Sequence, residues 1–113
     1  MHAMAQTTSG WMPPSAAPGS GETVTRLQGS EVEVLVVDLA GVPAPTAHSH
    51  DVEQIVIVLD GRVRLTVAGE DQELVAGDAV VVPAHVVHGA SSVGDGAGRL
   101  LEVRRASGVT VGL

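Results

Sequence analysis

From Glu22 onward, short apolar runs alternate with turn residues at intervals of eight to twelve positions, the rhythm of an all-β sandwich or barrel. The pattern predicts strands over 23–27, 31–39, 54–59, 62–67, 72–75, 79–82, 88–92, 99–105 and 109–111. The breaks between them are "GS" at 29–30, "GVPAP" at 41–45, "DG" at 60–61, "GED" at 69–71, "GD" at 77–78 and "GDGAG" at 94–98. Asp60-Gly61 is a strong two-residue hairpin signal, because Gly accepts the positive φ such a turn needs. After it, Val63, Leu65 and Val67 alternate with Arg62, Arg64 and Thr66, as in a strand with one buried and one wet face. No helical period competes with the period of two.

Two strands are apolar on both faces. In "QIVIVL", Gln54, Val56 and Val58 share one face, and Ile55, Ile57 and Leu59 share the other. "EVLVVDL" repeats the pattern. A small β domain has one interior, so the second face requires another cover, either a second copy of the chain or the N-terminal arm. A homodimer is the expectation. Residues 1–21, rich in Ser, Pro, Gly and Ala, read as that arm, and residues 22–113 as the β domain.

Composition narrows the picture. Apolar residues make up 44% of the 113, but Phe, Tyr and Cys are absent and Trp11 is the single aromatic, so the core is aliphatic. Without cysteine there are no disulfides, thiolate ligands or thiol nucleophiles. Six arginines against 13 carboxylates give a net charge of −7, which disfavours nucleic acid and anionic membranes as partners. No apolar run approaches membrane-spanning length, and the first residues lack the basic and apolar regions of a secretion signal. A cytoplasmic protein is expected.

The chemistry lies in the histidines. Four of the five fall in two clusters, His48 with His50 and His85 with His88. His48, His50 and Gln54 share parity, so an extended segment projects all three from the face that carries Val56 and Val58. Buried together, three polar side chains need a partner. A divalent cation satisfies imidazoles and an amide oxygen alike. His88 follows one strand and one Pro turn later, close enough in a closed antiparallel barrel to join them. The unpartnered alternative is a solvated histidine loop.

In this arrangement the sequence resembles the cupins. Their first motif runs GxxxxxHxHxxxExxxxxxG, with three or four residues before the Glu. Gly41, His48, His50, Gln54 and Gly61 match it, with one extra residue before His48 and Gln in place of Glu. Their second motif runs GxxxxxPxGxxHxxxN. Gly77, Pro83 and His88 match it, with His85 in place of Gly and Ser92 in place of Asn.

The resemblance implies an antiparallel jelly-roll barrel, the double-stranded β-helix, with His48, His50, Gln54 and His88 as metal ligands. Four neutral donors would leave a divalent ion its full charge, which suits an anionic or enolisable oxygen substrate. Iron, manganese, nickel, zinc and copper all suit such a mixed nitrogen and oxygen site.

His85 is a candidate general base at the pocket mouth, or an exposed loop residue. Glu53 should point away from the metal, unless the register slips by one residue. Arg62, Arg64 and Glu102 read as a solvated sheet face. Val56, Val58, Val63 and Leu65 are the expected pocket walls, small and aliphatic, for a small apolar or carboxylate-bearing ligand. Dioxygenase, isomerase or tautomerase, and lyase chemistry are what the resemblance implies. The alternatives are a binding or sensor module with a structural metal, favoured by the lack of an evident base inside the barrel, and a metal-free structural dimer.

Overall fold

The structure, a computed structural model, describes residues 4–112. The outermost residues of the expected arm and barrel, 1–3 and 113, lie outside it. Nine strands follow in order: β1 Gly21–Gln28, β2 Val32–Ala40, β3 Ser49–His50, β4 Gln54–Val67, β5 Glu70–Val75, β6 Ala79–Val82, β7 His88–Ser92, β8 Ala97–Arg105 and β9 Thr110–Val111. No helix forms among the described residues, and none is long and apolar enough to cross a membrane.

All pairings are antiparallel. The main sheet runs β1-β2-β8-β4-β5, with β6 and β7 also paired to β4. β4 is the hub. Its first half, Gln54 to Ile57, lies between β8 and β6, and its second half, Arg62 to Val67, between β5 and β7. One strand thus passes from one wall of the barrel to the other.

That passage corrects the hairpin expected at Asp60-Gly61. β4 runs unbroken from Gln54 to Val67. Val58 pairs with Leu100 and Asp60 with Arg99, so Leu59 is the extra residue of a bulge. Gly61 has φ +69°, and a Cβ there would collide with the Ala97 carbonyl. The positive φ that marks a tight turn serves equally well in a bulge that bends a strand at a barrel corner. The hairpin itself closes one strand-half later. Val67 pairs with Glu70, and Ala68 and Gly69 between them have φ 51° and 81°, the signature of a type I′ turn.

The core is aliphatic. Leu35, Val37 and Leu39 of β2 pack with Val56, Val58, Val63 and Leu65 of β4 and with Leu74, Val82 and Leu100. Each such side chain taken from water stabilises the fold by about 1.5–3 kcal/mol.

The arm lies along β1 and β8. Trp11 Nε1 donates to the Arg26 carbonyl at 3.1 Å, and Arg99 Nη2 donates to the Pro13 and Pro14 carbonyls at 2.8 and 2.9 Å. Arg99 is fixed in turn by Asp38, 2.8 Å from Nε. Beyond the arm the outward face stays open at Ile55, Leu59 and Val81.

Candidate metal centre

Short backbone ladders place the histidines. His48 and His88 face each other as a bridged pair and exchange both backbone hydrogen bonds, at 2.9 and 2.8 Å. β3 pairs with the C-terminal β9, setting His50 opposite Thr110. The 41–48 loop is pinned to β7: Ser92 N donates to the Val42 carbonyl, and Val42 N to Ser92 Oγ. Gly89 lets that loop pass closely, since a Cβ there would lie 2.7 Å from the Cβ of Pro45.

The three imidazoles converge. Ring centroids are 5.0 Å apart for His48–His50, 4.5 Å for His48–His88 and 5.1 Å for His50–His88. One ring nitrogen from each lies within 4.8 Å of the others. His50 and His88 are buried and His48 is half-buried.

The hydrogen bonds fix which nitrogen is free. His48 Nδ1 lies 2.9 Å from the Thr46 carbonyl and His88 Nδ1 lies 2.9 Å from the Val86 carbonyl. A carbonyl only accepts, so both Nδ1 atoms carry the proton. His50 Nδ1 lies 2.8 Å from Thr110 Oγ1, while its Nε2 faces a guanidinium nitrogen, which only donates. In neutral rings all three Nε2 atoms therefore carry the lone pair, that of His50 turned toward Arg104, and each ring is steered from its far side, as in metal sites generally.

Burial favours the neutral form of His50 and of His88. Burial, with Arg104 second, lowers the His50 pKa from 6.5 to about 4. Burial also lowers that of His88. His88 Nε2 is buried with no hydrogen-bond partner. Such an atom costs about 1–3 kcal/mol unless something donates to it or coordinates it. A divalent metal on the three histidines fits this donor set.

Gln54 is buried on the same face, and Glu53 is exposed, as the expected register requires. The amide oxygen of Gln54 is engaged, however. Arg104, opposite it on β8, places Nη1 2.9 Å from Gln54 Oε1 and 2.9 Å from His50 Nε2. Arg104 Nε lies 3.3 Å from Glu33 Oε1, and its Nη1 lies 3.9 Å from Glu102 Oε1. Nothing in the local pattern separates Arg104 from a surface residue; the pairing of β8 with β4 turns it inward.

Glu102 departs from the solvated face expected for it. It pairs with Val56, on the inward parity of β8, and its side chain is 16% exposed. Burial raises its pKa, against the opposing pull of Arg104. Arg62 does face solvent, paired with Glu73 at 3.1 Å, and Arg64 is half-buried.

A cavity of about 210 Å³ opens beside the histidines, walled by Val24, Leu35, Val37 and Ala90 and bordered by His48, His50, Glu102 and Arg104. Val56, Val58, Val63 and Leu65, expected as its walls, sit in the closed core, each at most 1% exposed. The walls come from β1, β2 and β7 instead, whose pairings with distant strands no local pattern states. A larger hollow, about 820 Å³, lies elsewhere, along Val32, Ile55 and Val103, and none of the clustered histidines borders it.

His85 stands apart from the cluster. Its side chain is exposed, its φ is +69°, and its N–H donates to the His50 carbonyl at 2.7 Å. It takes the left-handed conformation that glycine, the residue of the cupin motif, adopts without strain.

A family model described as a cupin domain matches residues 34–104. Comparison with curated protein sequences gave no match. Among solved structures, an RmlC-like cupin from Shewanella frigidimarina is 25% identical, with a TM-score of 0.72 over 95% of this chain and 96% of that one. The polyketide cyclase RemF from Streptomyces resistomycificus is 19% identical, with a TM-score of 0.74 over 93% of this chain and 81% of its own. Salicylate 1,2-dioxygenase from Pseudoaminobacter salicylatoxidans is 16% identical, with a TM-score of 0.72 over 87% of this chain but 30% of its own. At such identities the last two carry the fold alone. The family match spans well over half of the sequence and takes in all three converging histidines, and on that ground the chain belongs to the cupin family.

Proposed function

We propose that this cupin is a metal-dependent enzyme that moves a proton on a small, enolisable, oxygenated molecule held in the cavity beside His48, His50 and His88. One observation carries the reading: ring nitrogens of three histidines converge, that of His88 buried and unpartnered, and two of the three, His48 and His50, border a cavity that also presents a buried carboxyl. Bound there, a divalent ion (iron, manganese, nickel, zinc or copper) would supply a Lewis acid for substrate oxygens. The histidines would hold it through Nε2, with Nδ1 of His48 and His88 donating to the Thr46 and Val86 carbonyls and Nδ1 of His50 held by Thr110 Oγ1.

Glu102 is the proton carrier in this reading. Burial raises its pKa, which makes the carboxylate a stronger base. Leu35, Val37 and Ala90 give the cavity one apolar wall and keep it small, below the usual size of a drug-sized site. No Phe, Tyr or Trp lines it, so the substrate is held by its oxygens and its shape rather than by stacking on a large ring. His85, exposed and outside the cavity lining, is the secondary candidate for proton transfer.

The test is exchange of carbon-bound hydrogen. Tag-free protein loaded with each metal is incubated in D2O with small keto acids and diketones, and deuterium at the carbon next to the carbonyl is followed by NMR. Exchange that disappears in Glu102→Gln and persists in Glu102→Asp supports the reading. Oxygen consumption without exchange would replace it with the dioxygenase version.

A second reading is a ligand-binding module. Arg104 already satisfies His50 and Gln54, which allows the barrel to stand without an ion. Tight ligand binding without exchange or oxygen uptake would favour it.

A further inference from the structure

Arg104 stands where a metal's charge would stand. Its Nη1 donates to His50 Nε2 and to Gln54 Oε1, each at 2.9 Å. A guanidinium has donors alone, so both acceptors point lone pairs at it. Those are the lone pairs that the cupin resemblance assigns to a metal. Two cations cannot share them, because each needs the same electrons and each repels the other.

The arginine is built into this position. Its side chain is 9% exposed, and Glu33, itself buried, accepts from Nε at 3.3 Å. It fills half of the donor set and no more. His88 Nε2 receives nothing and remains buried.

We infer that Arg104 is the resident cation of the metal-free site, and that a divalent transition metal is taken up by exchange, Nη1 leaving His50 and Gln54 and turning toward Glu102. The inference rests on the metal reading of His48, His50 and His88 given above. Two features make the exchange possible. The guanidinium already holds the Gln54 oxygen and the His50 Nε2 lone pair in the orientation a metal requires, so no amide flip or ring rotation is needed. Glu102 Oε1 lies 3.9 Å from the departing nitrogen, so the freed charge stays paired between Glu33 and Glu102 rather than buried alone. Arg104 is thus a positioning residue that keeps the empty site in shape and sets the affinity with which it fills.

The experiment is a Zn2+ titration of the tag-free full-length chain, in competition with a chromophoric chelator, for wild type, Arg104→Met and Arg104→Lys. Melting temperature is followed with and without Zn2+. Arg104→Met should bind Zn2+ about tenfold to a hundredfold more tightly, the worth of one hydrogen bond to a charged group. Its metal-free form should melt lower and its gain on adding Zn2+ should be larger. If that variant does not fold, Arg104→Lys carries the test. Its single ammonium cannot stand at the places of Nε and Nη1 at once, so it cannot serve Glu33 and the two acceptors together, and it too should bind more tightly than wild type.

Equal or weaker Zn2+ binding by the folded variants, beside a wild type that binds, overturns the exchange and leaves the metal centre intact. Absence of binding in wild type and variants alike overturns both. Zn2+ binding that survives His50→Ala in every background places the ion elsewhere and also overturns the inference.

Discussion

Thr110 reaches back 60 residues to His50, its Oγ1 lying 2.8 Å from the imidazole Nδ1. The contact exists because the C-terminal β9 returns to pair with β3, setting the two residues opposite each other. It holds the ring of His50 from its Nδ1 side, while the Arg104 guanidinium at Nε2 sets the tautomer, and the far end of the chain thereby helps to orient a ligand at the cavity.

Removing that hydroxyl should loosen the ligand without unfolding the barrel. Thr110→Val is expected to weaken divalent-metal binding about 10- to 100-fold, the usual effect of losing a group that orients a metal ligand. Calorimetric titration of variant and wild type, with circular dichroism to check the fold, reads the difference. Unchanged affinity would show that Thr110 does not steer His50.

Acid should destabilise the metal-free protein. His50 titrates near 4 in the fold rather than at its ordinary 6.5, and burial holds His88 low as well. Between pH 6.5 and 4 the unfolded chain takes up protons that the folded histidines refuse, so stability falls as pH falls. The slope is at most about 1.4 kcal/mol per pH unit for each histidine. Glu102 works in the opposite sense, because its raised pKa lets the folded state protonate before the unfolded one. One carboxyl against two histidines leaves the net effect destabilising. Urea midpoints should be lower at pH 5 than at pH 7.5; equal midpoints would contradict the burial of the histidines.

His85 offers a separation of strain from chemistry. Its φ of +69° costs a side-chain-bearing residue about 1–2 kcal/mol that glycine avoids. His85→Gly should therefore leave metal affinity unchanged and cost no more than the flexibility glycine adds to the unfolded chain, with a net gain of up to roughly 1 kcal/mol. If turnover is found, the same variant decides between the two proton carriers. Loss of kcat with stability kept would assign the role to His85 rather than Glu102.

The open half of the outward face leaves Val81 56%, Leu59 39% and Ile55 38% exposed. A second copy of the chain is the cover expected for it. Light scattering should report twice the monomer mass, and Ile55→Glu should return a monomer. A monodisperse wild-type monomer at high concentration would remove the dimer from the account.

Much of the fold was legible because period-two patterning and turn residues are local. β6 and β7 fall where the pattern puts them, at Ala79–Val82 and His88–Ser92. The one hairpin read in the wrong place, at Asp60-Gly61, failed because a glycine with positive φ looks the same in a turn and in a bulge. His48, His50 and Gln54 were legible for the same local reason, since shared parity puts them on one face. Arg104, Glu102 and Thr110 were not. They reach the site through the pairing of β8 with β4 and of β9 with β3, and strand pairing over such distances leaves no mark on the residues themselves. The cavity walls were misplaced for that reason too: Leu35 and Val37 line it through the β2–β8 register.

If His48, His50 and His88 hold a divalent metal through their Nε2 atoms, anomalous diffraction from crystals of the tag-free protein, recorded on either side of the metal's absorption edge, should show one peak bonded to all three, at about 2.0–2.1 Å for zinc. A peak on other residues, or none after soaking in metal with His88 Nε2 still bare, would rule this metal centre out.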